Sequence, residues 1–214
     1  MIISHDLKYM FIHLPKTGGT SIRLAMFSND IFQVNIKGQC HKNKTTRADC
    51  NDPKVDTNIW THSSLREGMN YLKNNGYQPD EYFKFIFIRN PWDRMVSSYE
   101  YHIQVLAKTN PYWVGKWSFK SFKEFVHNKN PHRIVDGNFI NTNYKFDFIG
   151  KFENIKEDMQ TICKKIMKNN YRYINLPHKN ATLRYHYRHY YNKETKKIVE
   201  EKCSKIIELG NYSF

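Results

Sequence analysis

Six consecutive residues, Lys16, Thr17, Gly18, Gly19, Thr20 and Ser21, set a cation, hydroxyls and two glycines side by side in the stretch "FIHLPKTGGTSIRLAMF". Adjacent glycines let backbone N–H groups approach an anion closely, and a helix that starts there adds the positive end of its dipole. The chemistry this order suits is the holding of a phosphate or another anion. A Walker A loop carries its lysine after the last glycine, G-x-x-x-x-G-K-[ST]. Here Lys16 precedes Gly18 and Gly19, which argues against an ordinary ATPase or GTPase.

A second anion element stands at "FKFIFIRNPWDRMVSSY", Phe83 to Tyr99, where Arg89 follows an apolar run and can present a guanidinium fork, while Ser97 adds a hydroxyl. Arg94 and Ser98 belong to the same stretch; alone, each reads as a surface residue. Between the two elements lies "IWTHSSLREGMNYL", in which His62 precedes a helix start. The positive helix end is expected to depress its pKa and keep the imidazole neutral near pH 7, as a general base requires. Glu67, as partner of Ser64 in a capping box, has a structural role already. "LRYHYRHYY", with Arg184 and Arg188, alternates basic and aromatic residues and suits a phosphate, an anionic acceptor or the packing of the last helix.

The elements that must position these groups follow from pattern. Lys8 to Leu14 reads as a short strand and Ser21 to Phe27 as a helix, so the glycine loop is a strand-to-helix turn. Ser64 to Glu67 starts a helix running to about Asn75; Tyr82 to Arg89 is continuously apolar, as in a strand buried on both faces of a parallel sheet. Asn90 caps and Pro91 opens a helix to about Leu106. Ser121 to Asn128 suggests a short helix, Asp147 to Phe152 a strand, Ile155 to Asn169 an amphipathic helix and Lys193 to Leu209 a last helix with Ile198, Val199, Ile206 and Ile207 on one face. Strands alternating with helices imply an α/β fold, one domain over 1–214 with a central parallel β-sheet flanked by helices. The stretch 37–58 has almost no apolar periodicity and reads as a mobile surface insertion.

The chain has 214 residues, and 34 Lys+Arg against 20 Asp+Glu give it a formal charge of +14, which favours anionic partners. No apolar run approaches the roughly 18 residues that span a bilayer, and the polar start "MIISHDLKYMFIHLP" is unlike a signal peptide, so the expectation is a cytoplasmic protein without a membrane segment. Cys40, Cys50, Cys163 and Cys203 lie far apart without a C-x-x-C pair and read as thiols, with no metal site expected. The sequons at Asn43, Asn180 and Asn211 read as chance in an Asn-rich chain.

"HLPKTGGTS" resembles the 5′-phosphosulfate loop of sulfotransferases that use 3′-phosphoadenosine 5′-phosphosulfate (PAPS), and Phe83 to Tyr99 resembles their 3′-phosphate element, a strand followed by R-N-P-x-x-R-x-x-S-x-Y. His178 to Phe214 is similar to the tail of the carbohydrate sulfotransferase branch, with Leu209 in place of a usual phenylalanine and Asn211 inserted before Tyr212. The stretches 37–58 and 109–144 match nothing in that family. The resemblance implies a P-loop-nucleotide-hydrolase-like fold and sulfuryl transfer from PAPS to a hydroxyl of a saccharide, an acidic one included, with no nucleic acid as partner. It implies Lys16 at the bridging oxygen, Thr17, Gly18, Gly19, Thr20 and Ser21 around the 5′-phosphosulfate, and Arg89 and Ser97 at the 3′-phosphate; closing over that phosphate is one of the readings open to Arg184. No metal is required, because no triphosphate has to be neutralised. Adenine contacts are expected near Lys151 to Glu153 and Asn180 to Arg184. The position of His62 resembles that of the catalytic histidine in the hexuronic 2-O-sulfotransferase branch; a glutamate is the base in other branches, which makes Glu67 the rival. The alternatives are an atypical P-loop kinase, which would need Mg²⁺ ligands, and a basic nucleic-acid-binding domain, for which no known signature appears.

Overall fold

A computed structural model describes residues 1–5, 7–28, 36–37, 62–106, 119–128, 137–140, 143–171, 173, 175–177 and 182–214. The insertion expected at 37–58 lies outside these residues except for Lys37, as do Cys40, Cys50, Asn43 and Asn180. In chain order the elements are β1 (Ile2–Ser4), β2 (Tyr9–Ile12), α1 (Gly19–Ser28), β3 (Ile36–Lys37), α2 (Leu65–Asn74), β4 (Phe83–Ile88), α3 (Pro91–Tyr101), α4 (Phe122–His127), β5 (Phe148–Lys151), α5 (Ile155–Met167), α6 (Lys193–Lys202) and α7 (Ser204–Gly210). A π-helical turn, His102–Leu106, continues α3, and Gly137–Ile140 forms a single helical turn. The chain divides into two compact units, Met1–Ile88 with Asn138–Lys179, and Arg89–Gly137 with Asn180–Phe214.

The first unit is α/β. Its strands "YMFI" and "FKFIFI" are buried along nearly their whole length, which is why they read as continuous apolar runs rather than alternations. β2 pairs in parallel with β4, Ile12 opposite Ile86, and β4 in parallel with β5, Ile88 opposite Lys151. The sheet extends further than the parallel core that the sequence predicts: β1 lies antiparallel on β2 and β3 antiparallel on β1, giving the order β3-β1-β2-β4-β5. Successive strand residues face opposite sides of a sheet. Tyr9, Phe11, Phe85 and Phe87 therefore pack with Ile22, Ala25 and Met26 of α1 and with Met159, Ile162, Cys163 and Ile166 of α5. On the other side Gly68 lets α2 approach, since a Cβ there would come within 2.7 Å of the Met10 sulfur. Burial pushes the Cys163 thiol up to about 12, so it stays protonated in this core.

The second unit is helical, built on Trp92, Met95 and Val96 of α3, Phe122, Phe125 and Val126 of α4, and Val199 and Cys203 of the C-terminal helices. Aromatic residues of the tail complete it: Tyr191 donates its hydroxyl to the Trp92 carbonyl at 2.9 Å and Tyr190 to Glu100 at 2.6 Å. The single last helix expected over 193–209 is two helices. Cys203 leaves helical geometry at φ −118° and ψ 19°, yet its N–H still reaches Val199 at 3.0 Å and its carbonyl accepts from Ile207 at 3.0 Å. The hydrogen-bond ladder thus bends without stopping, and Val199, Cys203 and Ile206 remain buried. Among the described residues no helix is long and apolar enough to cross a membrane.

Candidate functional site

In the first unit the loop between β2 and α1 is wound by two left-handed residues, Lys16 at φ +65° and Gly18 at φ +78°. Thr17, at a non-positive φ between them, is fully buried and donates its hydroxyl to the Leu14 carbonyl at 2.8 Å. Left-handed residues in such a turn are what an anion-binding nest of backbone N–H groups is built from. The α1 ladder opens with the Ile22 N–H on the Gly18 carbonyl at 3.1 Å. The N–H groups of Gly19, Thr20 and Ser21 thus fall outside that ladder at the positive end of a ten-residue helix.

A Cβ at either glycine would crowd a neighbouring side chain. At Gly18 it would lie 2.7 Å from the Ile155 Cδ1 and 3.2 Å from the Phe152 ring, on top of the cost of positive φ. At Gly19 it would run into the His13 ring. Phe152, one of the residues expected near adenine, thus packs under the loop.

His62 stands beside this loop. Its Nδ1 is 2.9 Å from the His13 carbonyl oxygen, and because a carbonyl only accepts, Nδ1 carries the proton. The neutral imidazole therefore holds its lone pair on Nε2, the tautomer a base needs at that atom. The His13 ring lies 4.5 Å from the His62 ring, centroid to centroid, tilted by 52°. Glu67 is committed elsewhere: its Oε2 accepts from the Ser64 N–H at 2.6 Å and hydroxyl at 2.8 Å, and its own N–H donates to the Ser64 Oγ at 3.3 Å.

In the second unit Arg89, Ser97 and Arg184 come together, and Asp93 is what joins them. Asn90 accepts from the Trp92 and Asp93 N–H groups, both at 3.1 Å, and Pro91 opens α3, which fixes Asp93 one turn after Arg89. Arg89 donates Nε at 2.8 Å and Nη2 at 2.6 Å to the Asp93 Oδ2, and Nη1 to the Ser97 Oγ at 3.4 Å. Arg184 places Nη1 2.6 Å from the Asp93 Oδ1. Burial by itself pushes the Asp93 carboxyl up, but the hydrogen bond from Arg184 and the charge of Arg89 outweigh it and hold the group below the usual carboxylate range. Arg188 is occupied elsewhere: it donates to the Phe214 carbonyl at 2.8 Å and lies over that ring.

His13 and Asp93 are the two residues that sequence reasoning misses. Asp93 lies in the first turn of α3, where an acidic residue reads as a partner of the helix end rather than of Arg89, which precedes the cap; His13 had no signal beyond adjacency to the loop. Among the described residues no group of three or more His, Cys, Asp or Glu side chains is placed to hold a metal.

The sequence model described as "Sulfotransferase family" matches residues 1–209. Among curated proteins, an uncharacterized protein of Archaeoglobus fulgidus is 38% identical over 95 residues, covering 41% of this chain and 69% of its own. No solved structure gives a significant match.

Proposed function

The chain belongs to the sulfotransferase family, and from that premise we propose that it moves a sulfuryl group from PAPS to a hydroxyl of a carbohydrate, residues 1–214 working as one catalytic domain. The observation that carries this reading is the loop itself: a lysine and a glycine at positive φ, Thr17 pinned between them, and the first turn of α1 beyond. That donor set fits a terminal phosphosulfate, and it lacks the lysine after the glycines that a nucleoside triphosphate site would use. The Arg89, Ser97 and Arg184 group, with one net positive charge after Asp93 is counted, fits a second phosphate.

PAPS supplies, when bound, an activated sulfuryl group whose leaving group is a phosphate. Lys16, Thr17, Gly18, Gly19, Thr20 and Ser21 hold that end, and the Lys16 ammonium offsets the negative charge that builds at the bridging oxygen. His62, with its proton on Nδ1, takes the acceptor hydroxyl proton on Nε2 and makes that oxygen a nucleophile. Arg89, Ser97 and Arg184 select the 3′-phosphate. No metal is assigned a part, because Lys16 and backbone dipoles supply the positive charge. A net charge of +14 favours an acidic saccharide as acceptor.

Titration calorimetry with adenosine 3′,5′-bisphosphate in a chelator, and with ATP in Mg²⁺ and a mixed oligonucleotide for comparison, tests the donor assignment. The bisphosphate is expected to bind tightest; a preference for ATP with Mg²⁺ or for the oligonucleotide would refute it.

A further inference from the structure

We infer that Asp93 is a positioning residue for recognition of the nucleotide 3′-phosphate: its carboxylate fixes the Arg89 and Arg184 guanidiniums so that they discriminate a 3′-phosphorylated nucleotide from one without that group. The inference rests on the donor assignment made above and assigns a role to a residue outside it.

Asp93 acts on this site in two opposed ways. Asp93 is an anion beside a site for an anion, and Coulomb's law alone makes it a liability: two arginines and one aspartate leave a charge of +1, where the arginines alone would offer +2. Its geometry acts the other way. Nε and Nη2 of Arg89 both meet one carboxylate oxygen, at 2.8 and 2.6 Å, so the guanidinium plane is set by two points and its Nη1 edge is left turned to the Ser97 hydroxyl. The second oxygen takes Nη1 of Arg184 at 2.6 Å, which ties a segment distant in sequence to the first turn of α3. Arg89 and Arg184 side chains are only 8% and 18% exposed and Asp93 20%, so water screens little of this.

A long arginine side chain that is ordered before its ligand arrives does not lose its rotamer freedom on binding, and preorganisation of this kind raises affinity without new contacts. Buried guanidiniums with no carboxylate between them also repel one another and turn apart. Position therefore outweighs charge here, and the two accounts predict opposite signs for one substitution.

The test is calorimetric, with the whole chain and with adenosine 3′,5′-bisphosphate and adenosine 5′-monophosphate as the two probes. Their affinity ratio isolates the 3′-phosphate. In Asp93→Asn the preference for the bisphosphate is expected to fall at least tenfold, with monophosphate affinity within about threefold of wild type, and Asp93→Glu is expected to restore part of it. A preference that is unchanged or larger in Asp93→Asn overturns the inference, because that is the Coulomb outcome. If Asp93→Asn does not fold, Asp93→Ser, which removes the carboxylate and keeps both guanidiniums, carries the same expectation, and a wild-type preference there overturns it. Equal affinity of the wild type for both probes is a separate outcome: it removes the donor assignment, and this inference with it.

Discussion

Substituting Gly18 by alanine tests whether the loop is held in its left-handed winding, and a second glycine of nearly the same φ supplies the control. Gly18 sits at φ +78° and Gly76 at φ +76°, but a Cβ on Gly76 meets nothing within 4 Å, whereas one on Gly18 lies 2.7 Å from Ile155 and 3.2 Å from Phe152. Gly76 closes α2, with its N–H on Lys73 at 3.1 Å and the Tyr77 N–H on Leu72 at 2.9 Å, and has no part in the anion loop. Alanine in the left-handed region costs about 1–2 kcal/mol at either position. Only Gly18→Ala adds crowding, against the partly buried Ile155 and Phe152 side chains, worth about 1 kcal/mol at the low end of overpacking. The expected losses are therefore about 1–2 kcal/mol for Gly76→Ala and about 2–3 kcal/mol for Gly18→Ala. At roughly 2–4 °C per kcal/mol for a chain of this size, the melting temperatures fall in the order wild type, Gly76→Ala, Gly18→Ala. Calorimetry with adenosine 3′,5′-bisphosphate should then show Gly76→Ala binding as wild type does and Gly18→Ala binding at least tenfold more weakly. Equal melting temperatures and equal affinities in the two variants would refute the reasoning, since strain alone would then account for both.

Three further outcomes follow from the same geometry. His62→Ala should keep its nucleotide affinity and lose turnover by roughly 10²-fold or more, the usual cost of removing a general base; unchanged turnover moves the role to another group. Thr17→Val keeps the shape of a fully buried side chain but leaves the Leu14 carbonyl without its 2.8 Å donor, so a loss of about 1–2 kcal/mol is expected in thermal unfolding, and a wild-type melting curve contradicts it. The Asp93 carboxyl is held below its unfolded value, so the folded state binds this proton less readily than the unfolded one. The stability it contributes is present above the ordinary carboxylate pKa of about 3.9 and is lost as pH falls through the lowered folded value. The melting temperature of the wild type should therefore drop more steeply than that of Asp93→Asn between about pH 5 and pH 2, and parallel curves would remove Asp93 as a source of acid sensitivity.

What the sequence discloses of this fold is whatever is local. The glycine loop, the Ser64–Glu67 capping box and the Asn90–Pro91 helix start are each complete within a few residues, and each forms where the spacing places it. β4 announces itself through six residues of nearly unbroken apolar character. β1 and β3 do not, because three and two residues are too few to show a period and their pairing is set by the sheet they join. The bend at Cys203 is likewise silent, since a cysteine carries no helix-stop signal and the ladder continues through it. At the candidate site the sequence yields the charged residues and not their partners. That Asp93 stands between Arg89 and Arg184, or that the His13 carbonyl sets the tautomer of His62, depends on contacts between distant segments, and no spacing rule reaches across them.

Sulfuryl transfer from PAPS to a saccharide hydroxyl is measured by following labelled sulfur from ³⁵S-PAPS into a panel of neutral and acidic saccharides in the presence of a chelator. Label is expected in at least one saccharide, most in an acidic one, with transfer lost in His62→Ala and Lys16→Ala. Absence of label from every saccharide, or equal incorporation with the His62 and Lys16 variants, would contradict it.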